Sequence, residues 1–333
     1  MKLVTFTQAG AESERVGLLA NAERSVVDLR AAAVETLVDQ GAEPSRADVV
    51  SRATFADMTA FIATGEWGKA QAREYADRAL AMASTAVHHL DGVRLRAPLR
   101  PTRLRDCIAF EKHLQNFDRD LMEKDTAPAF YKIPTYYKGN PATIFGPDDE
   151  IRWPDYSQYW DYELELGVVI GASGVDLGEE EAESHIYGLT CLNDWSGRDI
   201  LKDEIAIGLG PNKSKDFATS IGPWLVTMDE IPDLYDLRMQ ARVNGETWST
   251  GSSGDIYWTF AKIIARMSDS EPLLSGELFG SGTVPYGCAL ELGRHLRPGD
   301  EVELEIDGLG VLRSTVTGNL TNPPQERAAS KTA

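Results

Sequence analysis

The sequence predicts an α+β chain, rich in β-structure, with a small N-terminal α/β part. Three observations lead there. Short runs over 3–7, 15–20, 25–29, 161–170, 187–194, 222–227, 237–244, 301–306 and 309–317 are apolar or alternate apolar with polar, as strands do. Helical patterns cluster early, over 30–39, 46–53, 55–63 and 68–87. Between the two regions, Gly92–Leu99 alternates like a strand and then meets Pro98 and Pro101. A boundary there divides the chain into segments 1–98 and 99–320, followed by a polar tail, 321–333, expected to be mobile.

The first three strands are separated by Gly- and Asn-containing turns. The pattern over 68–87 is rich in Ala, Arg, Glu and Met, which are good helix formers, and His88-His89 reads as its basic C-terminus. A strand or loop at Asp106 leads into a helix carrying Phe110, Glu111, His113 and Leu114. The aromatic stretch 125–150 reads as a loop, either walling a pocket or covering the core. Glu179–His185 reads as an acidic helix and Asp255–Met267 as another. Gly208–Lys215 is basic and Gly-rich but lacks the spacing of a nucleotide-binding loop. His185 and His295 carry no motif and are expected at the surface.

Length and charge bound the function. At 333 residues there is ample material for a core and room for two domains. A net charge of −19 disfavours nucleic acid and anionic membranes, which call for basic stripes. Three widely spaced cysteines form neither a metal motif nor a disulfide framework, so a reducing cytoplasm is the expected compartment. The N-terminus lacks the apolar run of a signal peptide, and no stretch is long enough to span a bilayer.

Asp161–Ile170 carries the most chemistry. Its period of two puts Glu163 and Glu165 on one face, roughly 6–7 Å apart. At an effective dielectric near 20 their repulsion costs about 2–3 kcal/mol. Two readings stand: an edge strand with solvated glutamates, or a core strand with a cation between them. Oxygen donors would suit Mg²⁺, Ca²⁺ or Mn²⁺. Asp194, ending another apolar strand, and Asp106 would complete an oxygen-only site if the segments converge.

The chain resembles the fumarylacetoacetate hydrolase family. The resemblance rests on Asp-Tyr-Glu-Leu-Glu at 161–165, Asn-Asp-Trp-Ser-Gly-Arg-Asp at 193–199 and Lys-Asp-Phe-Ala-Thr-Ser-Ile-Gly-Pro-Trp at 215–224. Gly-Ser-Gly-Thr at 280–283, Leu-Glu at 290–291 and Pro-Gly-Asp-Glu-Val at 298–302 extend it. It covers roughly residues 100–320. It implies a mixed β-sandwich roll with few helices, a homodimer, and bound Mg²⁺ or Ca²⁺. It implies Glu163, Glu165 and Asp194 as metal ligands, with Asp106 as a fourth. His113 resembles the general base and Glu291 its carboxylate partner. Arg198 and Lys215 resemble oxyanion-stabilising groups, and Tyr137 and Thr283 substrate contacts. Two positions depart from the family pattern: Leu201 stands where fumarylacetoacetases carry Gln, and Asn116 where small acylpyruvate-type members carry Glu.

The implied activity is metal-dependent hydrolysis of a carbon–carbon bond in a β-diketo acid, by His113-activated water and an enolate leaving group. A second reading keeps the site and changes the reaction to decarboxylation, dehydration or isomerisation of a 2-oxo acid. A third is a binding protein that retained the fold and lost turnover.

Overall fold

The computed structural model describes residues 1–325. Strands β1 (Lys2–Gln8), β2 (Arg15–Ala20) and β3 (Ser25–Asp28) form an antiparallel meander. Asp28 then caps α1 (Leu29–Asp39), accepting from the Ala31 amide at 3.0 Å. Helices α2 (Pro44–Thr54), α3 (Met58–Ile62) and α4 (Gly65–Ala81) follow. α4 stops short of residue 87, because Ala83 takes a left-handed φ of 49°. His88 and His89 therefore do not end a helix; they lie in β4 (Val87–His89), paired with β3. β5 (Val93–Arg96) returns to β1.

β6 (Leu104–Cys107) leads into α5 (Glu111–Phe117). The aromatic stretch that follows is more ordered than a loop. It contains β7 (Tyr136–Gly139), β8 (Ile144–Phe145) and β9 (Asp149–Arg152). Then come β10 (Trp160–Asp161), β11 (Leu164–Ile170), α6 (Glu179–Ala182), β12 (Ile186–Asp194), β13 (Ser196–Gly197), α7 (Arg198–Ile207) and β14 (Thr219–Thr227). β15 (Arg238–Val243), β16 (Glu246–Ser252), α8 (Phe260–Ser268), β17 (Leu278–Gly280), β18 (Glu301–Ile306) and β19 (Gly310–Thr317) complete the order. α8 begins at Phe260 rather than 255: Thr259 caps it, while Tyr257 and Trp258 pack on the Phe130 ring.

The strands form a 12-stranded sheet whose central order is β1-β14-β12-β11-β17-β6-β7, a five-stranded sheet β16-β15-β18-β19-β9, and a small β10-β13 pair. β1 pairs with β14, so the N-terminal strands continue the large sheet past the expected boundary near residue 98. One face of that sheet packs on the smaller sheet, with Leu164, Leu166, Val168 and Cys191 meeting Met239, Leu304 and Leu312. The other face carries Val169, Leu192, Ile221 and Leu225 against Ala32, Phe61 and Ala76 of the N-terminal helices. This is the β-rich α+β sandwich that the sequence predicts.

β11 is paired on both sides, by β12 and β17, which rules out the edge-strand reading. His295 is buried, not at the surface, while His185 is half-buried. Thr321 and Asn322 donate backbone amides to Gln158 Oε1 at 2.7 and 3.1 Å, so the tail is tied at its start. Residues 326–333 of the expected tail lie outside the described residues.

Candidate active site

The strand order β12-β11-β17-β6-β7 sets acidic side chains side by side on the face away from the smaller sheet. Gly280 of β17 pairs with Asp106 of β6 on one side and Gly167 of β11 on the other. A Cβ at Gly280 would stand 2.6 Å from Asp106 Oδ1 and 2.8 Å from Glu165 Oε2. The missing side chain is what lets the two carboxylates approach across the strand. Asp194 of β12 completes the group: carboxylate oxygens of Asp106, Glu165 and Asp194 lie within 4.8 Å of one another, all buried.

Three buried carboxylates this close are costly. Burial, then the Asp194 charge, pushes the Asp106 carboxyl well above its usual range. Burial, then Asp106 and Glu163, does the same to Glu165. Asp106 Oδ1 and Asp194 Oδ1 are buried without a hydrogen-bond partner among the described residues. Buried polar atoms are ordinarily paired, so an oxygen-only group with orphaned acceptors fits a hard divalent cation.

Glu163 faces the same region but is engaged differently. Its oxygens accept from Arg198 Nη2 at 2.7 Å and from Lys215 Nζ. Burial raises its carboxyl; Lys215 and Arg198 more than reverse that and hold it well below the usual range. Lys215 also donates to Asp194, and those two acids outweigh burial to keep the ammonium charged. Arg198 Nε donates to Asp161 Oδ2 at 2.6 Å, so both expected oxyanion donors are already bound to carboxylates. Tyr137 donates to Asp194 Oδ2 at 2.8 Å, and Thr283 Oγ1 lies 3.5 Å from Glu165 Oε1.

A cavity of ≈ 310 Å³ opens above this floor. His113, the third residue of α5, lines it and sets Nδ1 2.9 Å from Glu291 Oε2. Glu291 sits in the turn Leu290–Leu292. Its other oxygen accepts from Asn116 Nδ2 at 2.7 Å, and Cys288 Sγ lies 3.4 Å from Oε2. Leu201 is buried in the cavity wall with Leu114, Phe117 and Ile205, making that wall apolar.

The structure thus brings all the expected site residues to one region, with Glu163 turned to the cations rather than to the three-carboxylate group. Sequence reasoning missed what holds them. Asp161 accepts from Arg198 and from the Ala289 amide at 2.6 Å, tying the guanidinium to the turn that carries Glu291. Its signal is its place at the head of the Asp-Tyr-Glu-Leu-Glu run. Asn116 is the residue three positions after His113, the spacing that lets one helix face present both to Glu291.

Fold and site define a cavity lined by acids and a His–Glu pair on a β-sandwich. The family model described as fumarylacetoacetate (FAA) hydrolase C-terminal matches residues 104–317, and the chain belongs to that family. It is 30% identical over 261 residues to oxaloacetate tautomerase YisK of Bacillus subtilis, covering 77% of this chain and 84% of that protein. It is 29% identical to the mitochondrial oxaloacetate tautomerase fahd2 of Xenopus laevis, covering 95% and 90% of the two chains. Among solved structures, the fumarylacetoacetate hydrolase of Exiguobacterium antarcticum superposes with a TM-score of 0.69 at 25% identity, over 96% of this chain and 100% of that one. A maleylpyruvate hydrolase from Sphingobium sp. SYK-6, solved with manganese(II) and pyruvate, shares the fold at 21% identity and a TM-score of 0.69, over the same shares. No helix among the described residues is long and apolar enough to cross a membrane.

Proposed function

We propose that this chain is a divalent-metal-dependent enzyme that catalyses enol–keto proton transfer in a small 2-oxo acid with a second carbonyl group, the oxaloacetate class. Asp106, Glu165 and Asp194 would hold the cation; Glu163 joins them only by releasing Lys215 or Arg198. When bound, the cation supplies a Lewis acid and a template for neighbouring substrate oxygens. The observation that carries the reading is the commitment of Arg198 and Lys215 to Asp161, Glu163 and Asp194. Hydrolysis builds a tetrahedral oxyanion that needs preorganised donors, and each donor lost costs about 2.7–4 kcal/mol. With Leu201 supplying no amide, such donors are few. Proton transfer needs a placed base, and that is intact.

His113 provides it. Glu291 accepts from Nδ1–H, which leaves the Nε2 lone pair for the enol hydroxyl proton. Glu291, its second oxygen fixed by Asn116, stabilises the imidazolium that forms. The same proton is then delivered to the enol carbon, and the ring returns to neutral. The two tautomerase relatives agree with this chemistry.

Hydrolysis of an acylpyruvate with an apolar acyl group is a second reading, favoured by the wall of Leu114, Phe117, Leu201 and Ile205, where such a group would gain from burial. The test is decay of the enol absorbance of oxaloacetate, with wild type and His113→Ala, saturated with Mg²⁺ or Mn²⁺. The expected result is accelerated decay without loss of carbon, slowed about 10²–10⁴-fold in the variant. No acceleration, with pyruvate and a second acid released from aryl or alkyl acylpyruvates, would replace this reading by hydrolysis. Release of CO₂ would replace it by decarboxylation.

A further inference from the structure

Behind the cavity wall lies a second group of ligand atoms, different in chemistry from the carboxylates. His113 Nδ1, Cys288 Sγ and a Glu291 carboxylate oxygen lie within 4.8 Å of one another, and all three residues are buried. Nδ1 is 2.9 Å and Sγ 3.4 Å from Glu291 Oε2. Tetrahedral zinc, with bonds of roughly 2.0–2.3 Å, sets its ligand atoms about 3.4–3.6 Å apart. The sulfur–oxygen edge fits as it stands, and the nitrogen–oxygen edge needs to open by about half an ångström.

From this geometry we infer that His113, Cys288 and Glu291 form an inhibitory site for a soft divalent cation, Zn²⁺ or Cd²⁺, separate from the oxygen-only site. Ligand softness divides the two sites. Thiolate and imidazole select zinc-like ions, whereas Asp106, Glu165 and Asp194 suit magnesium or manganese. Cys288 and Glu291 are three residues apart across one tight turn, and that turn is anchored through the Ala289 amide to Asp161. Two of the ligands are therefore held in place before any ion arrives. His113 lines the cavity, which gives the ion an entry path and a fourth, open position.

Binding there disables the base. The ion takes the Nδ1 lone pair, so the proton of the neutral imidazole moves to Nε2. The Cys288 thiol loses its proton to solvent on coordination. With Nε2 protonated, His113 has no lone pair to offer the enol, and turnover stops while the carboxylate site stays loaded. This last step rests on the base role proposed above; the binding itself does not.

The test is a titration of Cd²⁺ into the full chain held in excess Mg²⁺, reading the near-ultraviolet sulfur-to-cadmium absorbance and oxaloacetate tautomerisation together. One Cd²⁺ per chain should saturate the absorbance and lower turnover at least tenfold in parallel. Cys288→Ser should lose the absorbance, and its own Mg²⁺-supported rate should resist Cd²⁺. His113→Ala and Glu291→Gln, should the cysteine variant not fold, should each weaken Cd²⁺ binding at least tenfold, since even residues that merely orient a ligand cost 10–100-fold. Absorbance that persists in Cys288→Ser, or unchanged affinity in His113→Ala, would overturn the site. Saturated absorbance with turnover intact would overturn the inhibition. If oxaloacetate is not turned over at all, the absorbance still decides the site, and the failure falls on the proposed reaction alone.

Discussion

Gly280→Ala isolates the contact between Asp106 and Glu165. The backbone at Gly280 is outside the left-handed region, so the substitution acts through space alone. The new methyl would stand 2.6 Å from Asp106 Oδ1 and 2.8 Å from Glu165 Oε2. Both oxygens must retreat by more than about half an ångström to reach ordinary contact. Metal–oxygen distances tolerate only about ±0.2 Å. The expected outcome is a rise of about 100-fold in the dissociation constant for Mg²⁺ or Mn²⁺, equivalent to about 2.7 kcal/mol. Overpacking should cost the metal-free fold about 1–3 kcal/mol, leaving it cooperative. Titration calorimetry reads the affinity, and thermal unfolding without metal reads the fold. Wild-type affinity in a folded variant would refute a shared ion between these two carboxylates.

Lys215→Met leaves Glu163 and Asp194 buried without their ammonium, and urea unfolding of the metal-free chain should show a loss of about 3–5 kcal/mol; a loss under about 1 would contradict the buried pairing. Asn116→Ala frees one oxygen of Glu291, so kcat should fall about tenfold while metal affinity, read by calorimetry, stays at the wild-type value. Metal binding should weaken in acid. The Asp106 and Glu165 carboxyls are raised in the fold, so their protonated forms favour the metal-free protein below their ordinary range. That contribution is lost as pH rises through the raised values, and there the ion can bind. The metal-induced rise in Tm should therefore be full in alkaline solution and shrink as pH falls, and a constant rise would show that these carboxyls are not the ligands.

Much of this was readable before the fold was known, and the failures have local causes. The β11 alternation announces that Glu163 and Glu165 share a face, because a strand has one period and two faces. His113 and its partner Glu291 are 178 residues apart, and no periodicity links them; only the family resemblance does. Gly280 lies within the Gly-Ser-Gly-Thr motif, but its meaning, a gap that two neighbouring strands fill with carboxylates, is a property of sheet order. The β4 histidines read as a helix end in the sequence because the left-handed conformation of Ala83, which breaks α4, is not advertised by composition in alanine. The buried His295 reads like any surface histidine.

The charge balance of the cavity floor orders the events on it. Asp106, Asp161, Glu163, Glu165 and Asp194 are all buried there, and the cations that face them are Arg198 and Lys215. Arg198 is shared by Asp161 and Glu163, and Lys215 by Glu163 and Asp194, so among the described residues Asp106 and Glu165 have no such ion-pair partner. An anionic 2-oxo acid of the proposed class entering this field would meet like charge in a low-dielectric recess, where repulsion is strong. On the proposed function, the chain's own residues would repel the substrate until a dication neutralises the acids. The same neutralisation leaves Lys215 and Arg198 engaged, so they remain as a fixed framework around Glu163. On the proposed function, the group left to move a proton is His113, which lines the same cavity and is backed by Glu291. On that reading metal affinity and proton transfer would be carried by separate side chains, which is why substitutions at Gly280 and at Asn116 should fall on different constants.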